Sequence, residues 1–299
     1  MSDRKQHLDT FAIVCLVGCC ALWGLNQVAS KVALREIPPL LQAGARSLGA
    51  ALLLWAWARR QGIGVGPTAA TWRGGVLAGA LFAAEFGCIF IGLQHTTASR
   101  MAVFLYLSPF IVALAMPWVA PVERLRGAQL IGLVAAFAGV VWAFAEGFSA
   151  PAAGPLQWWG DALGVAAALG WAGTTLTIRA SALGSAAPER TLMYQLLVSG
   201  LALVVAGVAT GEHWPDRASA LTWSSFAFQT VVVTFASYLL WFWLVRHYAA
   251  TRVAAFTLLT PVFGLLFGVL LLSEPLTTRL MVAMAAVALG IWLVNRPAR

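Results

Sequence analysis

One carboxylate in this chain sits where water is scarce. Glu85 lies near the middle of the apolar run 73–94, and Phe82, Phe86 and Ile89 share its helical face by three- and four-residue spacing. An ionisable side chain at such depth is costly, and it faces a cavity or a partner. Among aromatic rings it could receive a substrate's amino group or titrate within a proton cycle. It could also bond a neighbouring helix as a structural acid. No acidic residue sits at matching depth in the second half of the chain, so substrate contact ranks ahead of a proton relay.

Other polar and aromatic residues fall at similar depth. Ser237, Tyr238 and Trp241 form the corresponding face in the run 222–245, and Tyr and Trp offer flat apolar surface with one hydrogen-bonding group each. Trp23 and Trp171 lie near the middle of their runs, where they line a cavity or pack. Asn26, Thr174 and Thr175, and likewise Tyr106 and Ser108, either bond across helices or line a polar cavity. Pro109 and Pro261 remove backbone donors inside helices and are candidate hinges; a static bend is the alternative. Lys31, at a helix end, is a candidate gate, with snorkelling to the interface as its default. Arg46 is embedded in a run, and its partner is not legible.

Metal, cofactor and nucleotide chemistry find no foothold. Cys15, Cys19, Cys20 and Cys88 all lie inside apolar runs, the four His are scattered, and no Gly-x-x-x-x-Gly-Lys loop is present. The expectation is no metal, no cofactor and no catalysis. An integral membrane enzyme, the alternative from another class, would need a nucleophile with a base, paired acids or a metal cluster.

The elements that position these residues follow from composition. Of 299 residues, 61% are hydrophobic and 10% charged, against about a quarter charged in a soluble domain, so lipid must cover most of the surface. A helix crossing about 30 Å of hydrocarbon needs roughly twenty apolar residues. Ten runs qualify, near 10–31, 39–58, 73–94, 98–119, 126–147, 158–180, 190–210, 222–245, 251–272 and 276–295. Arg4 and Lys5 precede the first, but no Ala-x-Ala cleavage site follows, so it reads as a retained span rather than a signal peptide.

The net charge of +8 comes from basic residues placed singly or in pairs between runs, which orients helices and excludes nucleic acid as a partner. With the N-terminus cytoplasmic, thirteen Lys and Arg fall inside and five outside, placing both termini inside. Most of the fourteen Trp, including Trp55, Trp72, Trp118, Trp158 and Trp214, fall near run ends as an interfacial belt.

The chain also repeats itself. Residues 84–110 align without gaps to 236–262, with nine identities, among them His95/His247, Arg100/Arg252, Phe104/Phe256 and Pro109/Pro261. Upstream, Trp23 pairs with Trp171 and Lys31 with Arg179 at an offset of 148. The repeats are 1–150 and 151–299. Each holds five spans, and an odd number starts the second copy on the opposite side of the membrane. Inverted repeats of this kind recur in secondary transporters, with the substrate site between the halves.

At these residues the sequence resembles the drug/metabolite transporter superfamily, specifically the EamA-type exporters with ten helices. The resemblance rests on Leu22-Trp23-Gly24, Asn26 and Lys31; on Ser108-Pro109, repeated as Thr260-Pro261; and on Glu123-Arg124-Leu125 with Gln129, Gly132 and Gly139, echoed by Glu274-Pro275-Leu276 and Gly290. The second copy departs by having Ala172 where the first has Gly24, and by lacking a counterpart of Gly132. The resemblance implies export of amino acids, aromatic and neutral ones first, or related metabolites, by alternating access across a bacterial cytoplasmic membrane. Export of other metabolites or drugs is the alternative. The partners implied are a small-molecule substrate and the bilayer. Driving ion and oligomeric state stay open, and a monomer is consistent.

Overall fold

A computed structural model describes residues 8–119, 154–248 and 259–273, with scattered positions in 127–142, 253–257 and 278–289. Among the described residues the elements are helices joined by short turns: α1 Thr10–Ala33, α2 Pro39–Arg60, α3 Trp72–Gly92, α4 Ala98–Leu105, α5 Ser108–Val119, α6 Gln157–Ala180, α7 Pro188–Ala209, α8 Ala220–Ala227, α9 Tyr238–His247 and α10 Leu259–Leu272, with a 3-10 turn at Ala182–Ser185. A π-helical segment, Phe228–Ser237, joins α8 to α9. Four helical stretches, Thr10–Ala33, Trp72–Gly92, Pro188–Ala209 and Ala220–Val245, are long and apolar enough to cross a membrane. Large apolar side chains such as Val14, Leu52, Leu77, Leu169, Val205 and Val208 point outward, as a lipid-facing surface requires. Runs five and ten fall mostly outside the described residues, as do Arg252 and the motif around Glu274.

The repeat is written into the helix ends. α2 and α7 each open with proline at the first helical position, Pro39 and Pro188, where the missing N–H is no loss. Each stops on a glycine in the left-handed region, Gly62 at φ 69° and Gly211 at φ 81°. The amide one residue on, at Ile63 or Glu212, bonds back to the carbonyl of Ala58 or Gly207. This closure needs a residue free of a Cβ penalty.

Packing follows the same exchange of halves. α3 lies against α6, as α1 lies against α8 and the π segment. α3 lies against α7, as α2 lies against the π segment; α4 and α5 lie against α6, as α10 lies against α1. The α2–α7 contact is its own counterpart. The halves are therefore interleaved. Small residues let them approach: a Cβ on Gly44 would meet the Val204 amide at 2.8 Å, and one on Gly160 the Gly92 carbonyl at 2.9 Å.

Three spans differ from the uniform helices expected of them. The fourth run breaks at Tyr106 and Leu107, and α5 starts at Ser108. Pro109 cannot donate to the Leu105 carbonyl, and its ring crowds that position, so the break sits just before the Ser-Pro pair. The ninth run has its turn at Thr257, likewise ahead of Thr260-Pro261. The eighth run carries the π segment, a geometry found mostly at functional sites.

Candidate functional site

Seven of the predicted site residues come together where α1, α3 and the junction of the π segment with α9 meet. Trp23 of α1 donates from Nε1 to Ser237 Oγ at 2.9 Å, and Ser237 donates onward to the Val233 carbonyl at 2.6 Å. The Trp23 ring stands edge-on to Tyr238 and Trp241, with centroids 6.2 and 5.2 Å away. Phe82 meets Phe86 at 4.6 Å and Tyr238 at 6.4 Å. Edge-on rings match positive edges to negative faces, which fixes their mutual orientation. Glu85, 5% exposed, stands between Phe82 and Phe86 in sequence and keeps Oε2 without a hydrogen-bond partner. Its backbone is pressed against α6, since a Cβ on Gly170 would lie 3.1 Å from Glu85 Cα.

Tyr106, at the break, meets Trp171 of α6 edge-on at 5.6 Å, and Ser108 is buried beside that break. Asn26 is buried and leaves Oδ1 unpartnered. Thr174 and Thr175 donate back to the Gly170 and Trp171 carbonyls one turn earlier, at 3.0 and 3.1 Å, and the Thr174 hydroxyl also reaches the Ala78 carbonyl of α3 at 3.5 Å. Pro261 is buried in α10; of Pro109 only the backbone, at the start of α5, is described.

Arg46 belongs to this cluster. Its guanidinium lies 4.1 Å from the Phe86 centroid and 4.8 Å from that of Phe90, and it acts electrostatically on Tyr238 and Glu85. The signal in the sequence was its place in mid-run. Sequence spacing could not supply the partner, which comes from a different helix.

Both ends of α1 carry links between the halves. At its start, Asp9 caps the helix by accepting from the Ala12 amide at 3.0 Å. The same carboxylate accepts the Tyr248 hydroxyl at 3.0 and 2.9 Å. At its other end, Lys31 donates to the Thr96 carbonyl at 2.6 Å. The Thr96 hydroxyl in turn donates to Asp161 at 2.7 Å, and Arg100 donates to the same carboxylate at 3.1 and 2.5 Å. Thr96 and Tyr248 are repeat counterparts at an offset of 152, and each meets an Asp at the start of the other half's first helix. At 1.5 Å per residue, the two links sit about 33 Å apart. Beside Lys31 a groove of ≈ 490 Å³ opens, lined also by Arg35, Leu93, Gln94 and Leu272.

A third polar group ties α1 to α2 and the π segment. Gln229 Oε1 accepts from Ser30 Oγ at 3.0 Å and from Gln42 Nε2 at 3.2 Å. Gln229, Val233 and Ser237 are all buried, four residues apart on the π segment.

The model of the EamA-like transporter family matches residues 10–145 and matches again over 158–296. This chain belongs to the EamA-like transporter family. The double match agrees with the repeat read from the sequence, and membership places the protein in the drug/metabolite transporter superfamily. Among relatives of this EamA-like transporter, the uncharacterized transporter YvbV of Bacillus subtilis is 29% identical over 300 residues, covering 97% of this chain and 93% of YvbV. A probable amino-acid metabolite efflux pump of Escherichia coli K12 is 28% identical over 271 residues, covering 86% and 85% of the two chains. A counterpart of that pump in Salmonella typhimurium is 26% identical, covering 98% and 95%. A solved crystal structure shares the fold at a TM-score of 0.75 and 18% identity, covering 96% of each chain.

Proposed function

We propose that this EamA-like transporter exports amino acids, aromatic and neutral ones first, across a bacterial cytoplasmic membrane by alternating access. The reading includes ten spans with both termini inside, divided into two inverted halves at 1–150 and 151–299. The observation that carries it is the buried carboxylate of Glu85, with one oxygen unpartnered, set into the ring cluster of Trp23, Phe82, Phe86, Tyr238 and Trp241. An acid among aromatic faces suits a ligand with an ammonium group and an apolar side chain. The efflux pumps among the relatives support export.

In this reading the links at the two ends of α1 are the gates. Thr96, Arg100 and Asp161 join the halves at the outer end, with Lys31 holding the same turn, and Asp9 and Tyr248 join them at the inner end. The breaks ahead of Pro109 and Pro261 let the half-helices swing, since fewer backbone bonds hold them there. Opening one link while the other stays made exposes the site to one side.

Purified protein in liposomes should move labelled phenylalanine or tryptophan down its gradient, and Glu85→Gln should impair that movement while expression and folding are retained. Absence of transport for every amino acid tested would sink the substrate assignment. Near-normal transport by Glu85→Gln would remove Glu85 from the site. Imposing a pH gradient separates a proton antiporter, which responds, from an uncoupled carrier.

A further inference from the structure

Arg46 heads the fully buried side chains among the described residues by size, with no exposed surface at all. Its Nε, Nη1 and Nη2 all lack a partner in good hydrogen-bond geometry; among the described residues the Tyr238 hydroxyl is its one nearby polar neighbour besides Glu85, and a guanidinium carries five N–H donors, so most of them stay open. The rings of Phe86 and Phe90 lie close to it, but a ring face satisfies charge without satisfying directed donors. Glu85 Oε2 is in the same condition. The two groups feel one another's charge, yet no hydrogen bond joins them. Buried charges are expensive unless paired and hydrogen-bonded. Here a cation on α2 and an anion on α3 are held near each other with their bonding capacity open.

Such a pair is complementary to a molecule that carries both charges a short distance apart. A planar guanidinium takes a carboxylate with two parallel hydrogen bonds, and a carboxylate takes an ammonium. Building on the amino-acid reading above, we propose that Arg46 is the carboxylate receptor of this site. The recognised species is then an α-amino acid in its zwitterionic form, with its ammonium on Glu85 and its side chain against Trp23, Phe82, Tyr238 and Trp241. Each charge of the ligand pairs with one of the protein's. A ligand missing either charge leaves one buried group unpaired, and sites built this way reject such analogues strongly.

The test uses the full-length protein and three probes of one shape: phenylalanine, phenethylamine, which lacks the carboxylate, and 3-phenylpropionate, which lacks the ammonium. Competition against labelled phenylalanine in liposomes is read alongside quenching of tryptophan fluorescence in detergent, since Trp23 and Trp241 border the site. Wild-type protein should prefer phenylalanine over both analogues by about 100-fold. Arg46→Gln should lose that preference against phenethylamine while keeping it against 3-phenylpropionate. Glu85→Gln should do the converse, and Arg46→Lys should restore part of the carboxylate preference. A purely structural Arg46 would weaken all three probes together, and that result overturns the proposal. So does wild-type protein that binds phenethylamine as well as phenylalanine. If fluorescence shows zwitterion selectivity but liposomes show no transport, the export reading fails and the receptor assignment holds. If no zwitterion binds at all, both fail. Should Arg46→Gln not fold, the wild-type preference among the three probes decides.

Discussion

Replacing Asp161 by Asn should loosen one end of the transporter without dismantling it. The carboxylate accepts hydrogen bonds from the Thr96 hydroxyl at 2.7 Å and from Arg100 at 3.1 and 2.5 Å. All three residues are buried, at 6%, 0% and 3% exposure for Asp161, Thr96 and Arg100. Removing one partner of a buried ion pair costs about 3–5 kcal/mol, because the other charge stays buried without compensation. Asn keeps the shape and one acceptor for Thr96, so the cost falls near the lower end, about 3 kcal/mol. Only the state in which the α4–α6 contact is closed bears that cost, since opening lets water reach Arg100. A bias of about 3 kcal/mol shifts the equilibrium by about 150-fold.

The assay is the labelling rate of a single cysteine, Ser108→Cys, in a background lacking the four native cysteines, with a membrane-impermeant maleimide. In right-side-out vesicles Asp161→Asn should speed labelling by about 100-fold, and Arg100→Gln added to it should recover part of the loss in a double-mutant cycle. Asp9→Asn, at the far end of α1, should speed labelling in inside-out vesicles instead. Rates within twofold of the parent, or both variants exposing the same face, would refute the two-gate reasoning.

Three further outcomes are expected. Gly24→Ala should destabilise the protein by about 1–3 kcal/mol as an overpacking change, because a Cβ there would lie 2.6 Å from the Gly264 amide nitrogen. Gly18→Ala, with nothing within 4 Å, serves as the neutral control, and thermal melting in detergent compares the two. Ser237→Ala leaves the Trp23 indole N–H without its acceptor and should cost about 1–3 kcal/mol, visible as a lower melting temperature and a shifted Trp emission. Glu36, in the turn after α1, accepts from the Ser219 amide at 2.6 Å, and this bond holds its carboxyl below the ordinary range. A depressed folded value means the contact is intact at neutral pH and is lost as pH falls through that value. Protection of the amides at the start of α8, taken relative to their intrinsic exchange rates, should therefore fall on acidification, and Glu36→Gln should remove that response.

Much of the architecture was legible because each signal was local. Apolar runs mark helices, which depends only on short-range periodicity; the helix starts at Pro39 and Pro188 and the stops at Gly62 and Gly211 became evident as repeat features in the fold. The repeat was legible for the same reason, since His95, Arg100 and Pro109 recur with unchanged spacing at His247, Arg252 and Pro261. Glu85 stood out because a charge in an apolar run needs no neighbour to be anomalous.

Pairing across helices was not legible. Arg100 reads in sequence as an orienting charge at a run end, and in the folded chain it is buried against Asp161. Arg46 had no visible partner because Phe86, Phe90 and Glu85 reach it from α3, some forty residues away in sequence. Thr174 aligns with Asn26 at the offset of 148, but the Thr174 hydroxyl is occupied by the Gly170 and Ala78 carbonyls whereas Asn26 keeps Oδ1 unpartnered, a difference set by which helix faces each residue. The sequence alone therefore determined the solvent, the helices and the duplication, all of which depend on short-range periodicity. The tertiary structure decided which charges meet and which are left open, because those distances depend on how helices remote in sequence approach one another.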